Sequence, residues 1–208
     1  MTPTMQTFNA WQAMFDHFNA ELFGGKLPHV LLNMSRKRGA VGFFWAGRWS
    51  PAEKGAAIAE ISMNPEWLKG RSPEQTASTM VHEMVHLWDH VFGKPGKNGY
   101  HGKSWANQMR AVGLEPVSHD QPGKDVGYRC SHNVIADGVF TKAFASLPVK
   151  AMPWVCGGAV EKPVDPKEKD RAKAKQKVAY QCECSKAWGK PGLSMTCNEC
   201  GEDMVEQE

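Results

Sequence analysis

The sequence predicts an α+β fold in two parts, a small sheet beside a helix that carries two histidines one turn apart, and a compact four-cysteine module at the C-terminus. Three observations predict it. A run with helical periodicity contains His82-Glu83-Met84-Val85-His86, three short apolar runs between residues 29 and 63 have the texture of strands, and Cys182, Cys184, Cys197 and Cys200 fall within the last 27 residues. A chain of 208 residues, 41% of them hydrophobic, can bury one sizeable core and support an appendage.

Phe8, Trp11, Phe15, Phe18 and Leu22 recur at spacings of three and four, so residues 8–23 read as an amphipathic helix whose aromatic stripe faces the core, stopped by Gly24-Gly25. Residues 29–34, 40–49 and 57–63 read as strands, separated by Arg36-Lys37-Arg38-Gly39 and by Ser50-Pro51-Ala52-Glu53-Lys54-Gly55. Ser72-Pro73-Glu74-Gln75 combines an N-cap, a proline at the first helical position and a glutamine three residues on, which starts the next helix at 73 and carries it to about 92. A further helix spans 103–112 and stops at Gly113. In 119–160, Gly127–Cys130 and Val134-Ile135 look strand-like, Phe140–Leu147 suits a short helix, and Pro148–Gly158 is irregular. This stretch is expected to fold as an extension onto the core, 1–118. Residues 161–178 hold seven basic and four acidic side chains with Pro163 and Pro166, which reads as a linker with transient helix.

The His-Glu-x-x-His pattern is the zincin signature. Four residues of helix turn through about 400°, so His82 and His86 project from nearly one face and can share a metal ion, while Glu83 lies about 100° further round, within reach of a water on it. Zinc sites that perform hydrolysis keep three protein ligands and one open position, so a third donor is required. Asp89, His90, His101, Glu115 and His119 follow in the sequence. His90 is eight positions beyond His82, about 12 Å along a helix, too far to share the ion. The metzincin pattern is excluded because Asp89 and Phe92 stand where it requires Gly and His. His101 differs from the rest: the glycine-rich stretch Gly93–Gly99 returns the chain before His101-Gly102-Lys103-Ser104-Trp105 opens a new helix, from which a ligand can face the first two.

These residues, with the step of fifteen positions from His86 to His101 and the His-Gly-x-x-aromatic phrase, resemble the SprT-like (Spartan-type) zinc metallopeptidases. Phe15-x-x-Phe18-Asn19, Leu22–Pro28 and Glu60–Asn64 join the resemblance. It implies a zincin-like catalytic core over 1–118 in which His82, His86 and His101 hold a catalytic Zn²⁺ and Glu83 is the general base. It also implies that residues 58–63 form an edge strand along which substrate pairs, the equal alternative from the residues themselves being an ordinary buried strand. Tyr100 and Tyr128 are candidate oxyanion donors. His119 and His132 are ordinarily expected to be structural, with a part as acid or stabiliser as the alternative. The rival from another class is a non-catalytic zinc protein that binds nucleic acid or a transcription or repair partner.

Cys182-Glu183-Cys184 and Cys197-Asn198-Glu199-Cys200, twelve residues apart, suit a structural four-thiolate Zn²⁺ in a zinc ribbon over 179–208, although C-x-C is less common than C-x-x-C in a first knuckle. A Cys130–Cys156 bridge is the lesser alternative for the remaining thiols. No apolar run has the ~18 residues that span a bilayer, and the N-terminus lacks a signal core, so the expectation is a cytoplasmic, monomeric protein without membrane contact. Relatives of the Spartan type act on proteins held on DNA, which raises association with the nucleoid. Residues 179–208 carry two basic and six acidic side chains, a poor partner for phosphate. Arg36, Lys37, Arg38 and Arg48, interleaved with Phe43, Phe44, Trp45 and Trp49, are the better candidates for DNA, the plain alternative being a solvated turn beside core aromatics.

Overall fold

The computed structural model of the chain describes residues 1–148 and 177–207. The expected linker, apart from its last two residues, the irregular stretch beyond Pro148, and Cys156 with its candidate bridge lie outside the described residues. The chain divides into two compact units, Met1–Gly158 and Ala159–Glu208.

In the first unit, α1 (Pro3–Phe23) begins five residues earlier than the aromatic stripe alone suggests, because Thr2 caps it by accepting from the Met5 amide and Pro3 occupies the first turn. It ends at Gly24, whose left-handed φ of 62° lets the cap amide return to the Asn19 carbonyl. Its buried face, Trp11, Met14, Phe15 and Phe18, joins one apolar core with Met80, Val81, Met84, Trp105 and Phe140. Phe18 is fully buried and stacks on Phe140 at 5.7 Å; truncation to alanine there costs about 3–5 kcal/mol.

Strands β1 (Leu31–Met34), β2 (Gly42–Trp49) and β3 (Ile58–Met63) form a sheet in the order β1-β3-β2, β1 parallel and β2 antiparallel to β3. This corrects one expectation. Residues 58–63 are not an edge strand: both flanks of β3 are occupied, and Glu60 through Met63 are buried. Glu60 sits inside because Trp49 Nε1 (2.6 Å), Asn33 and Ser62 all donate to its carboxylate, tying the three strands together. Among the described residues β2 is paired on one flank only, and it packs beside the histidine helix.

A single-turn helix α2 (Pro65–Leu68) leads to α3 (Pro73–Phe92), which starts with the expected capping box: the Ser72 hydroxyl accepts from the Gln75 amide and the Gln75 side chain from the Ser72 amide. After α4 (Lys103–Ala111), strands β4 (Leu114–Ser118) and β5 (Cys130–Val134) pair antiparallel, Ser118 opposite Cys130. Of the strand-like signals around 127–130 and 134–135, Cys130 and Val134 are the two ends of β5, while Gly127–Arg129 and Ile135 lie outside it. Helix α5 (Val139–Ala145) follows and buries Phe140 against α1.

The second unit is a sheet in the order β7-β6-β8 from β6 (Val178–Gln181), β7 (Lys186–Gly189) and β8 (Val205–Gln207). Its small core is Tyr180, Cys197 and Met204; the Tyr180 hydroxyl donates to the Lys190 carbonyl (2.7 Å) or Glu206 (2.9 Å) and accepts from the Leu193 amide. So little apolar area leaves a module of this kind dependent on further cross-links. Among the described residues no helix is long and apolar enough to cross a membrane.

Candidate metal centre and cleft

Helix α3 presents His82 and His86 from one face, and α4 presents His101 just ahead of its first turn. The imidazole rings lie 5.1 Å (82–86), 4.7 Å (86–101) and 5.7 Å (82–101) apart between centroids, and one nitrogen of each falls within 4.8 Å of the others. A zinc ion with bonds of about 2.0–2.1 Å sets its nitrogens roughly 3.4 Å apart, so side-chain adjustments of about 1 Å complete the set. Trp105, fully buried, contacts all three rings at 4.4–5.5 Å and fixes their spacing.

The surroundings suit metal ligation. His101 Nδ1 is 3.0 Å from the Gly127 carbonyl and His82 Nδ1 is 3.1 Å from His132 Nδ1, so in both rings the proton resides on Nδ1 when Nε2 faces an ion. Burial holds the imidazoles neutral, as ligands must be: His86 is pushed down to about 3 and His82 well below the ordinary histidine value, neighbouring imidazoles adding to the effect.

The glycine-rich return is built by close approach. A Cβ on Gly93 would meet Asp89 Oδ1 at 2.1 Å, and one on Gly96 the Tyr100 carbonyl at 2.1 Å. Asp89, a formal candidate for third ligand, instead accepts from the Lys94 amide at 3.2 Å and holds this turn. Glu115 pairs with Arg110, and His90 and His119 are exposed at the margin of the cleft. His101 is thus the candidate that joins the helix pair.

Glu83 is buried beside the ring cluster, and burial pushes its carboxyl up to about 8 against the opposing field of Lys37. Strand β2 passes close over it: a Cβ on Gly42 would stand 3.0 Å from Glu83 Oε1. The open cleft above the rings is lined along one side by Val41 and by Gly42–Ala46 of β2 and includes Tyr100, Tyr128 and His132. Tyr100 and Tyr128 pack edge to face at 5.1 Å. Sequence reasoning did not single out Gly42, Gly127 or Arg71. Gly42 and Gly127 carry no local signal, because each acts through a partner distant in the chain, and Arg71 is placed in the cleft by the fold although its own bonds are to nearby Gln75 and Thr79; for His132, only the preponderance of structural histidines was available.

Of the basic residues considered for DNA, Arg36 is paired with Glu66 (3.0 Å), Lys37 lies over the Phe43 ring (4.6 Å) and Arg48 over Trp45 (4.4 Å). Trp45 and Trp49 are exposed rather than core.

In the second unit the four cysteines converge: Sγ atoms are 3.6 Å apart for 182–184, 3.5 Å for 184–197 and 3.7 Å for 182–200. Thiolates about 2.3 Å from a tetrahedral zinc stand roughly 3.8 Å apart, so the C-x-C knuckle meets the geometry. Amides of Cys200 and Glu199 draw the Cys197 thiol down to about 7, whereas neighbouring sulfurs push Cys184 up, the pattern of a sulfur cluster that gains by giving its protons to a cation.

Residues 11–122 match the SprT-like family. The chain is also 32% identical over 59 residues to an uncharacterized protein in the mucB 3' region of Salmonella typhimurium, a match covering 28% of this chain and 80% of that protein.

Proposed function

From the premise that the chain belongs to the SprT-like family, we propose that it is a zinc-dependent endopeptidase with a zincin-like core and a zinc-ribbon tail. The observation that carries the reading is the meeting of one nitrogen each from His82, His86 and His101 beside the buried Glu83. A zinc ion held there by three imidazoles would lower the pKa of a water in its fourth position toward ~7 and polarise the scissile carbonyl. Glu83 takes the proton of the attacking water and delivers it to the departing amine, acting first as base and then as acid. It must be ionised for the first step, which a dication next to it favours.

The peptide is bound extended along the free flank of β2, main chain to main chain, with Gly42 leaving room for Glu83 to approach the scissile bond. The strip Lys37, Phe43, Trp45, Arg48 and Trp49 then offers charge and aromatic faces to DNA, in keeping with a substrate class of DNA-associated proteins. Arg36 contributes less, its charge being matched by Glu66. Glu83→Gln is the test: zinc content is retained and proteolysis, assayed with and without single-stranded DNA, is abolished. An equally active Glu83→Gln protein removes the assigned base. A non-catalytic zinc protein is disfavoured because a structural histidine site has no use for a buried carboxyl in this position.

A further inference from the structure

An arginine taken out of water is ordinarily matched by a carboxylate, because a full charge and five N–H donors are costly to strand. Arg71, in the turn between α2 and α3, departs from this. Among the described residues no carboxylate pairs with it. Its Nη2 reaches the Gln75 carbonyl at 3.3 Å and Thr79 Oγ1 at 3.4 Å, both long, and its Nε is buried with no acceptor. Arg71 lines the cleft together with Thr79, His82 and His132.

Position sets what it can read. Thr79 precedes His82 by three residues and Glu83 by four on α3, so a guanidinium anchored on Thr79 stands about one helical turn, ~5.4 Å, from the histidine cluster. An extended peptide advances ~3.3 Å per residue. The guanidinium therefore meets a side chain one or two residues from the bond being cut.

We propose that Arg71, flanked by Thr79 and His132, is a carboxylate-recognition subsite that selects substrates with Glu or Asp one or two residues from the scissile bond. The proposal rests on the peptidase reading and adds a substrate class to it. The planar fork of the guanidinium matches a carboxylate in two parallel bonds, and a half-buried wall strengthens them. A nucleic-acid phosphate is the competing anion; it is disfavoured because Arg71 lines the cleft next to Thr79 and His82, whereas Arg48, the cation stacked on Trp45, is not among the cleft-lining residues.

The test uses the zinc-loaded full chain and short peptides ending in a hydroxamate, which anchors them on the metal in known register. Two series extend to either side of the anchor, each with Glu or Gln at the first or second position. The expected result is a roughly tenfold or greater preference for Glu in one series. It should vanish in Arg71→Gln and persist in weakened form in Arg71→Lys, with zinc content and circular dichroism unchanged in both. Equal affinity for Glu and Gln in every series, or a preference that survives Arg71→Gln, overturns the proposal. A fall in single-stranded DNA affinity in Arg71→Gln without any preference for Glu assigns the guanidinium to phosphate and also overturns it. Failure of every hydroxamate to bind is the distinct signature of a failed metal-site reading, and the proposal falls with it.

Discussion

The Nδ1 atoms of His82 and His132 lie 3.1 Å apart across the junction of α3 and β5. Two imidazoles at that distance share one proton. The tautomer that frees His82 Nε2 for a metal makes His82 the donor and His132 the acceptor. A ring 50 positions away in the chain thereby orients the first histidine of the helix.

Loss of that acceptor should be read in metal affinity. His132→Ala is expected to weaken zinc binding by roughly 10–100-fold, measured by competition with a chromogenic chelator, and His132→Gln, which retains an acceptor oxygen, should recover part of it. An unchanged affinity in His132→Ala would make the contact incidental.

The third histidine, packed edge to face on Trp105, takes its hydrogen bonds from the backbone of one residue. His101 exchanges two main-chain bonds with Gly127 and points Nδ1 at its carbonyl. Gly127 has a φ of 151°, and a Cβ there would meet Asp120 Oδ1 at 2.4 Å and Ser118 Oγ at 2.7 Å. Asp120 in turn accepts from Ser118 and from the amides of Tyr128 and Arg129, fixing the loop. Gly127→Ala should displace the carbonyl and lower zinc affinity by an order of magnitude or more, with far-ultraviolet circular dichroism unchanged.

Gly42 likewise leaves room for a functional side chain, here Glu83. Gly42→Ala places a methyl 3.0 Å from Glu83 Oε1 and 3.3 Å from Met63 Sδ. Zinc stoichiometry should hold while kcat falls roughly tenfold or more and KM changes little. Loss of zinc instead would show that the strand supports the histidines rather than the carboxyl.

How much of this was legible in the chain follows from range. The start of α3 was readable because Ser72, Pro73 and Gln75 are local and act on each other. The histidine pair followed from helical periodicity, and His101 from a glycine turn whose purpose is to reverse the chain. Sheet order was not readable: β1 and β2 both seek β3, and nothing within residues 58–63 says that both flanks are filled. The partners that allow Glu60 to be buried, Trp49 and Asn33, come from the neighbouring strands. His132, Gly127, Gly42 and Arg71 matter only through residues brought close by folding.

Metal-free protein should show opposing pH effects on stability. Burial raises Glu83 from 4.5 to about 8, so its contribution is full below about 4.5 and lost as pH rises through 8. His86 and His132, lowered by burial from 6.5 to about 3 and about 4, contribute fully above 6.5 and lose that contribution as pH falls. The Tm of chelator-treated wild type minus that of Glu83→Gln should therefore decline from pH 4.5 to 8. A flat difference would contradict the burial of a protonatable carboxyl.

In the second unit the Sγ atoms already stand at the spacing of a tetrahedral site. Chelation, or Cys197→Ser, should abolish slow amide exchange across β6 and β7 while leaving that of α3 intact. Persistence of protected amides without metal would show that Tyr180 and Met204 suffice to hold this sheet.

The most direct measurement is an anomalous-scattering crystal structure of the zinc-loaded chain. The account predicts one zinc bonded to Nε2 of His82, His86 and His101 and to a single solvent oxygen within hydrogen-bond reach of Glu83. A His101 ring turned away from the metal, or a fourth protein side chain in the solvent position, would contradict it.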